Sequence, residues 1–195
     1  MVAIFSGNGL GLNLSSMSAL GGRGLLGTAT QGRNGERAYV NAATGNLVLQ
    51  DADALLVGLG PDVAGLRTYN SQGGFDFDGN ADGWHGAVTR AIQDVGGGVL
   101  RRIDLDRSTI EYDWVEELGL YRARVTVGSA VDTIARNADG TFTWTDGATQ
   151  TKETYAAGAL GLITSSEDAS GNRLEFGYTN GRLSSVRYPG GEWVE

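Results

Sequence analysis

Ile110, Tyr112 and Trp114 alternate with Glu111 and Asp113, and a few residues on Tyr121, Ala123, Val125 and Val127 alternate with Arg122, Arg124 and Thr126. Successive side chains of a strand point to opposite faces, so a period of two with one apolar side predicts half-buried β-strands. A helix would scatter the same residues around its circumference. The turn Glu116–Gly119 joins the two runs into a hairpin. Thr141, Thr143 and Thr145 alternate with Phe142 and Trp144 in the same way. Asn137-Ala138-Asp139-Gly140 and Asp146-Gly147 are further turns, because Asn, Asp and Gly tolerate positive φ. The alternation assigns Tyr112, Trp114, Tyr121, Phe142, Trp144, Phe176 and Tyr178 to a packed inner face rather than to a carbohydrate platform.

The rest of the chain carries the same punctuation. Leu47–Gln50 is a short apolar run behind the turn Thr44-Gly45-Asn46, and Asp51 and Asp53 predict a break before Leu55–Val57. Val63–Tyr69 reads as a strand and Asn70–Gly83 as a polar loop. Trp84–Val95 and Val99–Asp106 flank Gly96-Gly97-Gly98 and predict a hairpin. Residues 1–38 differ: they are rich in Gly, Ser, Asn and Leu, with one short strand expected around Leu10–Leu14. No segment predicts an amphipathic helix.

Composition narrows the class. Of 195 residues, 32 are Gly and only 2 are Pro, which suits many short strands with tight turns rather than a low-complexity linker. The net charge is −8 and Lys152 is the sole lysine, so non-specific attraction for phosphate backbones is weak. Cysteine is absent, which removes disulfides, thiolate metal sites and cysteine nucleophiles together. No stretch approaches the ~18 apolar residues of a spanning helix, and the first residues lack a standard secretory leader.

An internal repeat occupies the C-terminal part. Gly161-Leu162-Ile163-Thr164-Ser165-Ser166 recurs as Gly181-Arg182-Leu183-Ser184-Ser185-Val186, with Asp168-Ala169-Ser170-Gly171-Asn172 and Tyr188-Pro189-Gly190-Gly191-Glu192 as the matching turns. Leu174, Phe176 and Tyr178 form one alternating face between them. A lone hairpin cannot bury such a face, so the units need neighbours. A further strand begins at Glu192, and the expectation is that the chain is part of something longer.

The string Gly161-Leu162-Ile163-Thr164, Asp168, Gly171-Asn172, Leu174-Glu175-Phe176-Gly177-Tyr178, Gly181-Arg182-Leu183 resembles the RHS/YD repeat of bacterial RHS proteins and teneurins. Val40-Asn41-Ala42-Ala43-Thr44-Gly45-Asn46-Leu47 resembles the segment preceding those repeats. Gly58-Leu59-Gly60, Arg67-Thr68-Tyr69-Asn70-Ser71, Gly83-Trp84 and Asn137 to Trp144 fit the same string. The likeness runs from about Tyr39 to the end. It departs from the family where Tyr178 is followed by Thr179 and Tyr188 by Pro189. The resemblance implies a β-ribbon coiled into a hollow shell that encloses, delivers or displays a C-terminal domain. The family's self-cleavage region and toxin domain are not among these residues, so neither role carries over.

Candidate chemistry is sparse. Asp76, Asp78, Asn80 and Asp82 place oxygen-bearing side chains at every second position of one loop, as a hard cation such as calcium prefers. Gly79 and Gly83 do not fit an EF-hand and Ala87 stands where a closing Glu would be; the alternative is an acidic, solvated loop. His85 is the only histidine, and no G-x-S-x-G elbow surrounds a serine. Glu116 and Glu117 are neighbours in a turn and cannot flank a substrate. Gly7, Gly9, Gly11 and Gly96–Gly98 lack the helix and Lys-Ser/Thr of a phosphate loop. Arg90, Arg101, Arg102 and Arg107 form a small basic group expected to pair with Asp94, Asp104 and Asp106 across strands.

The reading is therefore an all-β chain of antiparallel hairpins in a long coiled sheet. It comprises a glycine-rich arm (1–38), a β region (39–160) and YD-like repeats (161–195). The resemblance implies a structural, non-enzymatic module of an exported toxin or surface protein of a bacterium. Its expected partners are further repeats of its own chain or further copies through sheet edges, with no nucleic acid and no cofactor. The alternative is a calcium-dependent adhesin or glycan-binding segment.

Overall fold

The computed structural model describes residues 3–5, 37–42, 44–56, 63–73, 82–86, 90–104, 107–124, 131–188 and 193–194. Among them every regular element is a strand, as the period of two predicts. The chain forms two compact units: Met1–Leu55, Ala64–Thr89 and Ile103–Thr109 make one, and Leu56–Val63, Arg90–Arg102 and Ile110–Glu195 the other.

The first unit is a five-stranded sheet in the order β1 (Ala3–Phe5), β2 (Arg37–Asn41), β3 (Leu47–Leu56), β4 (Val63–Asn70) and β5 (Trp84–Gly86). β1 runs parallel to β2, with Ala3 opposite Tyr39, and this strand has no counterpart in the sequence reading. The strand expected around Leu10–Leu14 lies outside the described residues. Tyr39 and Val48 face each other across the β2–β3 pair and are almost wholly buried. The break expected at Asp51 and Asp53 is absent, and β3 runs through it. Asp51 is held instead by Arg67 of β4, whose Nη2 donates to its carboxylate at 3.0 Å. An outward carboxylate with such a partner does not interrupt a ladder.

In the second unit β6 (Ala91–Gly96), β7 (Val99–Ile103), β8 (Thr109–Val115), β9 (Leu120–Ala123), β10 (Thr133–Arg136), β11 (Phe142–Thr145) and β12 (Lys152–Tyr155) follow one another edge to edge. β13 (Leu160–Glu167) pairs with β12 and also returns to β6, so strands β6 to β13 close into a ring. β14 (Arg173–Thr179), β15 (Arg182–Arg187) and β16 (Trp193–Val194) continue the sheet from β13. β13 is thus split along its length: Leu160–Leu162 pair with β6, whereas Ser165–Glu167 pair with β14.

The expected turns are present. Gly96, Gly97 and Gly98 all have positive φ and turn β6 into β7, and Gly119 and Gly140 serve the β8–β9 and β10–β11 turns. The run Trp84–Val95 is not one strand, however: β5 and β6 belong to different units. Inside the ring, Ile92, Leu100, Tyr112, Ile134, Phe142, Tyr155 and Ile163 are at most 1% exposed, and Trp144 is 4% exposed. The aromatic stripe is core at Tyr112, Tyr121, Phe142, Trp144 and Phe176, but not at Trp114, which is 41% exposed. Trp114 has the right parity yet sits near the end of β8. There it packs edge-on against Tyr121 at 5.0 Å, and its indole N–H donates to Glu116. Alternation fixes which face a side chain takes, while depth depends on its distance from the strand end.

Candidate functional site

A buried polar cluster of the second unit lies in the ring wall where it closes. Lys152-Glu153-Thr154-Tyr155 forms β12, and its alternation turns Glu153 and Tyr155 inward together; both are at most 1% exposed. Arg102 of β7 donates from Nη2 to Glu153 Oε2 at 2.8 Å and from Nε to the Tyr155 hydroxyl at 3.1 Å. That hydroxyl donates in turn to Glu153 Oε2. Arg90, just before β6, makes an ion pair with the other carboxylate oxygen, Oε1. The Arg102 guanidinium also lies 3.9 Å from the centre of the Trp144 ring, and the Trp144 N–H donates to the Tyr112 hydroxyl at 2.8 Å. Both oxygens of Glu153 are therefore committed to cations.

The positions explain what this cluster does. Glu153 lies on β12 and Arg90 just before β6, on the two sides of β13, and the Arg90 carbonyl accepts the Ile163 N–H at 3.0 Å. The triad thus spans the seam of the ring. A buried ion pair adds little net stability, but removing one partner strands the other charge and is costly. Its partners come from β12, β7 and the residue before β6, so it ties together strands that meet where the ring closes. A general acid or base needs a carboxyl free to exchange its proton with a reacting group, and Glu153 has no such oxygen. The signal for a buried carboxylate lies in the parity of β12, where Glu153 shares a face with Tyr155 and alternates with Lys152 and Thr154.

In the first unit, the segments around Asn41–Leu47, Arg67–Gln72 and Gly83-Trp84 meet at one corner. The Asn41 N–H donates to the Asn46 carbonyl at 2.9 Å and the Gly45 N–H returns to the Asn41 carbonyl at 2.8 Å, with Gly45 at φ +73°. Ser71 donates to Asn46 Oδ1 and accepts the Leu47 N–H, both at 2.8 Å, while Gln72 Nε2 donates to the Thr44 carbonyl at 2.8 Å. Tyr69 covers Gly83 so closely that a Cβ there would lie 2.7 Å from its ring, and Trp84 packs on Tyr69 with centroids 5.7 Å apart. Residues 40–42, 44–47, 67–71 and 83–84 are one hydrogen-bonded corner, which is a physical reason for their joint spacing.

The other expected sites fall as follows. Asp76, Asp78 and Asn80 lie outside the described residues. Asp82 is exposed, and its Oδ1 accepts the Trp84 N–H at 2.8 Å, the local turn bond of an Asp. Among the described residues no group of three or more His, Asp or Glu is placed to hold a metal. His85 is buried opposite Thr68 in the β4–β5 pair. Glu116 and Glu117 are exposed turn residues. The four arginines do not form one group: Arg90 and Arg102 meet on Glu153, Arg101 pairs with Glu111, and Asp94 pairs instead with Arg136. Arg101 and Arg102 are neighbours on one strand, so their side chains leave by opposite faces.

Among known families, residues 159–192 match the RHS Repeat. The match covers β13, β14 and β15, the strand that closes the ring and the two that lead away from it. Comparison with the curated proteins gives no match.

Proposed function

We propose that this RHS-repeat chain is a structural, non-enzymatic module of a larger RHS-like exported toxin or surface protein of a bacterium, a piece of β-shell whose work is enclosure and assembly. The observation that carries the reading is the double use of β13. One strand completes a closed ring with β6 and β12, and the same strand starts the repeat β13–β14–β15. The ring supplies a filled base, with Tyr112, Phe142, Trp144 and Tyr155 packed inside and Glu153 neutralised by two arginines. The repeat supplies a sheet that grows strand by strand, each hairpin burying the apolar face of the last.

A growing sheet needs a neighbour at its outer edge. β16 pairs with β15, through Val186 opposite Val194 and Arg187 opposite Trp193, and no other described strand pairs with it. Unpaired N–H and C=O groups along a strand are a template for a further repeat or a further copy. The test is light scattering over a concentration series. The wild-type chain should self-associate, and Val194→Pro, which removes a ladder donor, should reduce that association. A wild-type chain that stays monomeric at high concentration would count against assembly through this edge.

A further inference from the structure

The corner of the first unit contains donors that have nothing to donate to. Asn46 is fully buried, and its Oδ1 already accepts the Ser71 hydroxyl at 2.8 Å and the Gln72 N–H at 3.1 Å. The backbone N–H fixes which end of the amide is oxygen, so the atom left over is the donor Nδ2. Among the described residues Nδ2 finds no partner, nor does Thr68 Oγ1 on a residue 1% exposed, nor Arg107 Nε on a residue 6% exposed. No ion pair holds the Arg107 guanidinium among the described residues either.

Asn46 and Arg107 are joined through Asn70 and Gly73, and Thr68 lies next along the same face of β4. The Gln72 N–H is shared between Asn46 Oδ1 and Asn70 Oδ1, at 3.1 Å to each, which sets the two amides side by side. Gly73 then lies against Asn70 and Arg107 at once: a Cβ on it would stand 3.2 Å from Asn70 Cβ and 2.8 Å from Arg107 Cβ. Thr68 precedes Asn70 by two residues on β4, and both are buried on the same face. Arg107 adopts φ +62°, a left-handed conformation that non-glycine residues rarely take.

All three leftover atoms carry a proton to give, and one belongs to a permanent cation. A buried donor without an acceptor is costly, and a buried guanidinium calls for an anion with oxygens arranged for its planar fork. We propose that the Asn46–Thr68–Asn70–Arg107 corner binds a small oxyanion group, a carboxylate or a phosphate. Arg107 supplies the charge, and the Asn46 amide and Thr68 hydroxyl supply neutral donors. This rests on the first unit alone and does not depend on the assembly reading.

The test is thermal unfolding of the full chain at pH 7 in sodium phosphate, sodium acetate and sodium chloride at matched ionic strength. The expected result is a saturable rise of about 2–4 °C over chloride in at least one of the oxyanions. A response to both marks a carboxylate-compatible site, and a response to phosphate alone marks a phosphate site. Arg107→Gln should abolish the saturable rise, which separates it from general salt exclusion. Calorimetric titration of Thr68→Val, which keeps shape and loses one donor, should show about tenfold weaker binding and serves if Arg107→Gln does not fold. No rise above chloride, an Arg107→Gln response equal to wild type, or undiminished binding by Thr68→Val overturns the proposal.

Discussion

Glu153 shows how much a single inward side chain can decide. It is 1% exposed and faces Arg90 and Arg102, so Glu153→Gln would leave two cations beside one neutral amide. The expected loss is about 3–5 kcal/mol, read by urea unfolding, because a broken buried pair strands its partner. A change under about 1 kcal/mol would show that the triad does not hold the seam. The two β-hairpin tryptophans separate in the same way. Trp144→Ala should cost about 3–5 kcal/mol, since it removes a buried ring, a hydrogen bond to Tyr112 and the platform under Arg102. Trp114 shares its parity but is 41% exposed, so its alanine variant should lose only about 1 kcal/mol. Equal losses for the two would mean that alternation alone sets burial. Tyr178 gives the opposite sign. Its hydroxyl is buried without a partner among the described residues, so Tyr178→Phe should be neutral or stabilising in urea. Desolvation raises its pKa from 10.0 to about 12, with Arg90 opposing. The folded state therefore favours the neutral phenol. That contribution is whole below pH 10 and is lost as pH rises toward 12, so the phenylalanine variant should resist alkali better.

At the scale of elements, the vulnerable point is the place where β13 is passed from β6 to β14. Gly161 lies opposite Ile92, and a Cβ on it would stand 2.0 Å from the Ala156 carbonyl oxygen. Ala156 is fixed there because its N–H donates to the Leu162 carbonyl at 2.9 Å. Gly161→Ala must therefore push backbone apart, and a loss of about 1–3 kcal/mol is expected, with faster hydrogen exchange at the β6 and β13 amides. Gly177→Ala meets only the Ser185 hydroxyl, which can rotate away, and should cost less. If Gly177→Ala proves the worse of the two, the seam is not the weak point. These two glycines also mark what could be read in advance. The hairpins β8–β9, β10–β11 and β11–β12 were legible because each pairs with its sequence neighbour through an Asn, Asp or Gly turn, and local alternation carries that information, whereas the run expected through Val125 and Val127 lies outside the described residues. The return of β13 to β6 was not, because nothing in either strand's period names a partner some seventy residues away. The twenty-residue repeat was legible as sequence but uneven as conformation: Gly161 is an extended seam residue, whereas Gly181 sits in a turn at φ +75°. The polar clusters were hidden for a related reason. Glu153, Asn46 and Arg107 are ordinary surface residues by composition, and only closure of the sheet or of the corner buries them.

For the whole molecule, the net charge of −8 is laid over a set of carboxylates that are individually held in place. On the outer face of β8 and β9, Arg124 grips Asp113 through two nitrogens and also meets Glu111, which Arg101 binds from β7. These contacts hold the pKa of Glu111 and Asp113 below the ordinary range. The Arg136 hydrogen bond lowers Asp94, the Thr141 hydroxyl lowers Asp139, and the Asn172 amide lowers Asp168 in its turn. Every one of these groups binds its proton less readily in the folded state than in the unfolded chain. Their stabilisation is therefore present above the ordinary carboxylate range, about pH 4, and drains away as pH falls through the lowered values. Protonation also relieves the repulsion of an acidic chain, which works the other way. Repulsion among exposed charges is screened beyond about 8 Å at physiological salt, whereas a hydrogen-bonded pair at contact is screened less, so the loss should win. Urea unfolding across pH 3–7 should give a nearly flat stability down to about pH 5 and a steep fall below about pH 4. Asp94→Asn removes one of the lowered groups, so it should lose stability at pH 7 and show a shallower acid limb. A stability that holds level to pH 3, or an acid limb unchanged in Asp94→Asn, would place the acid sensitivity in groups other than these arginine-held and turn-held carboxylates.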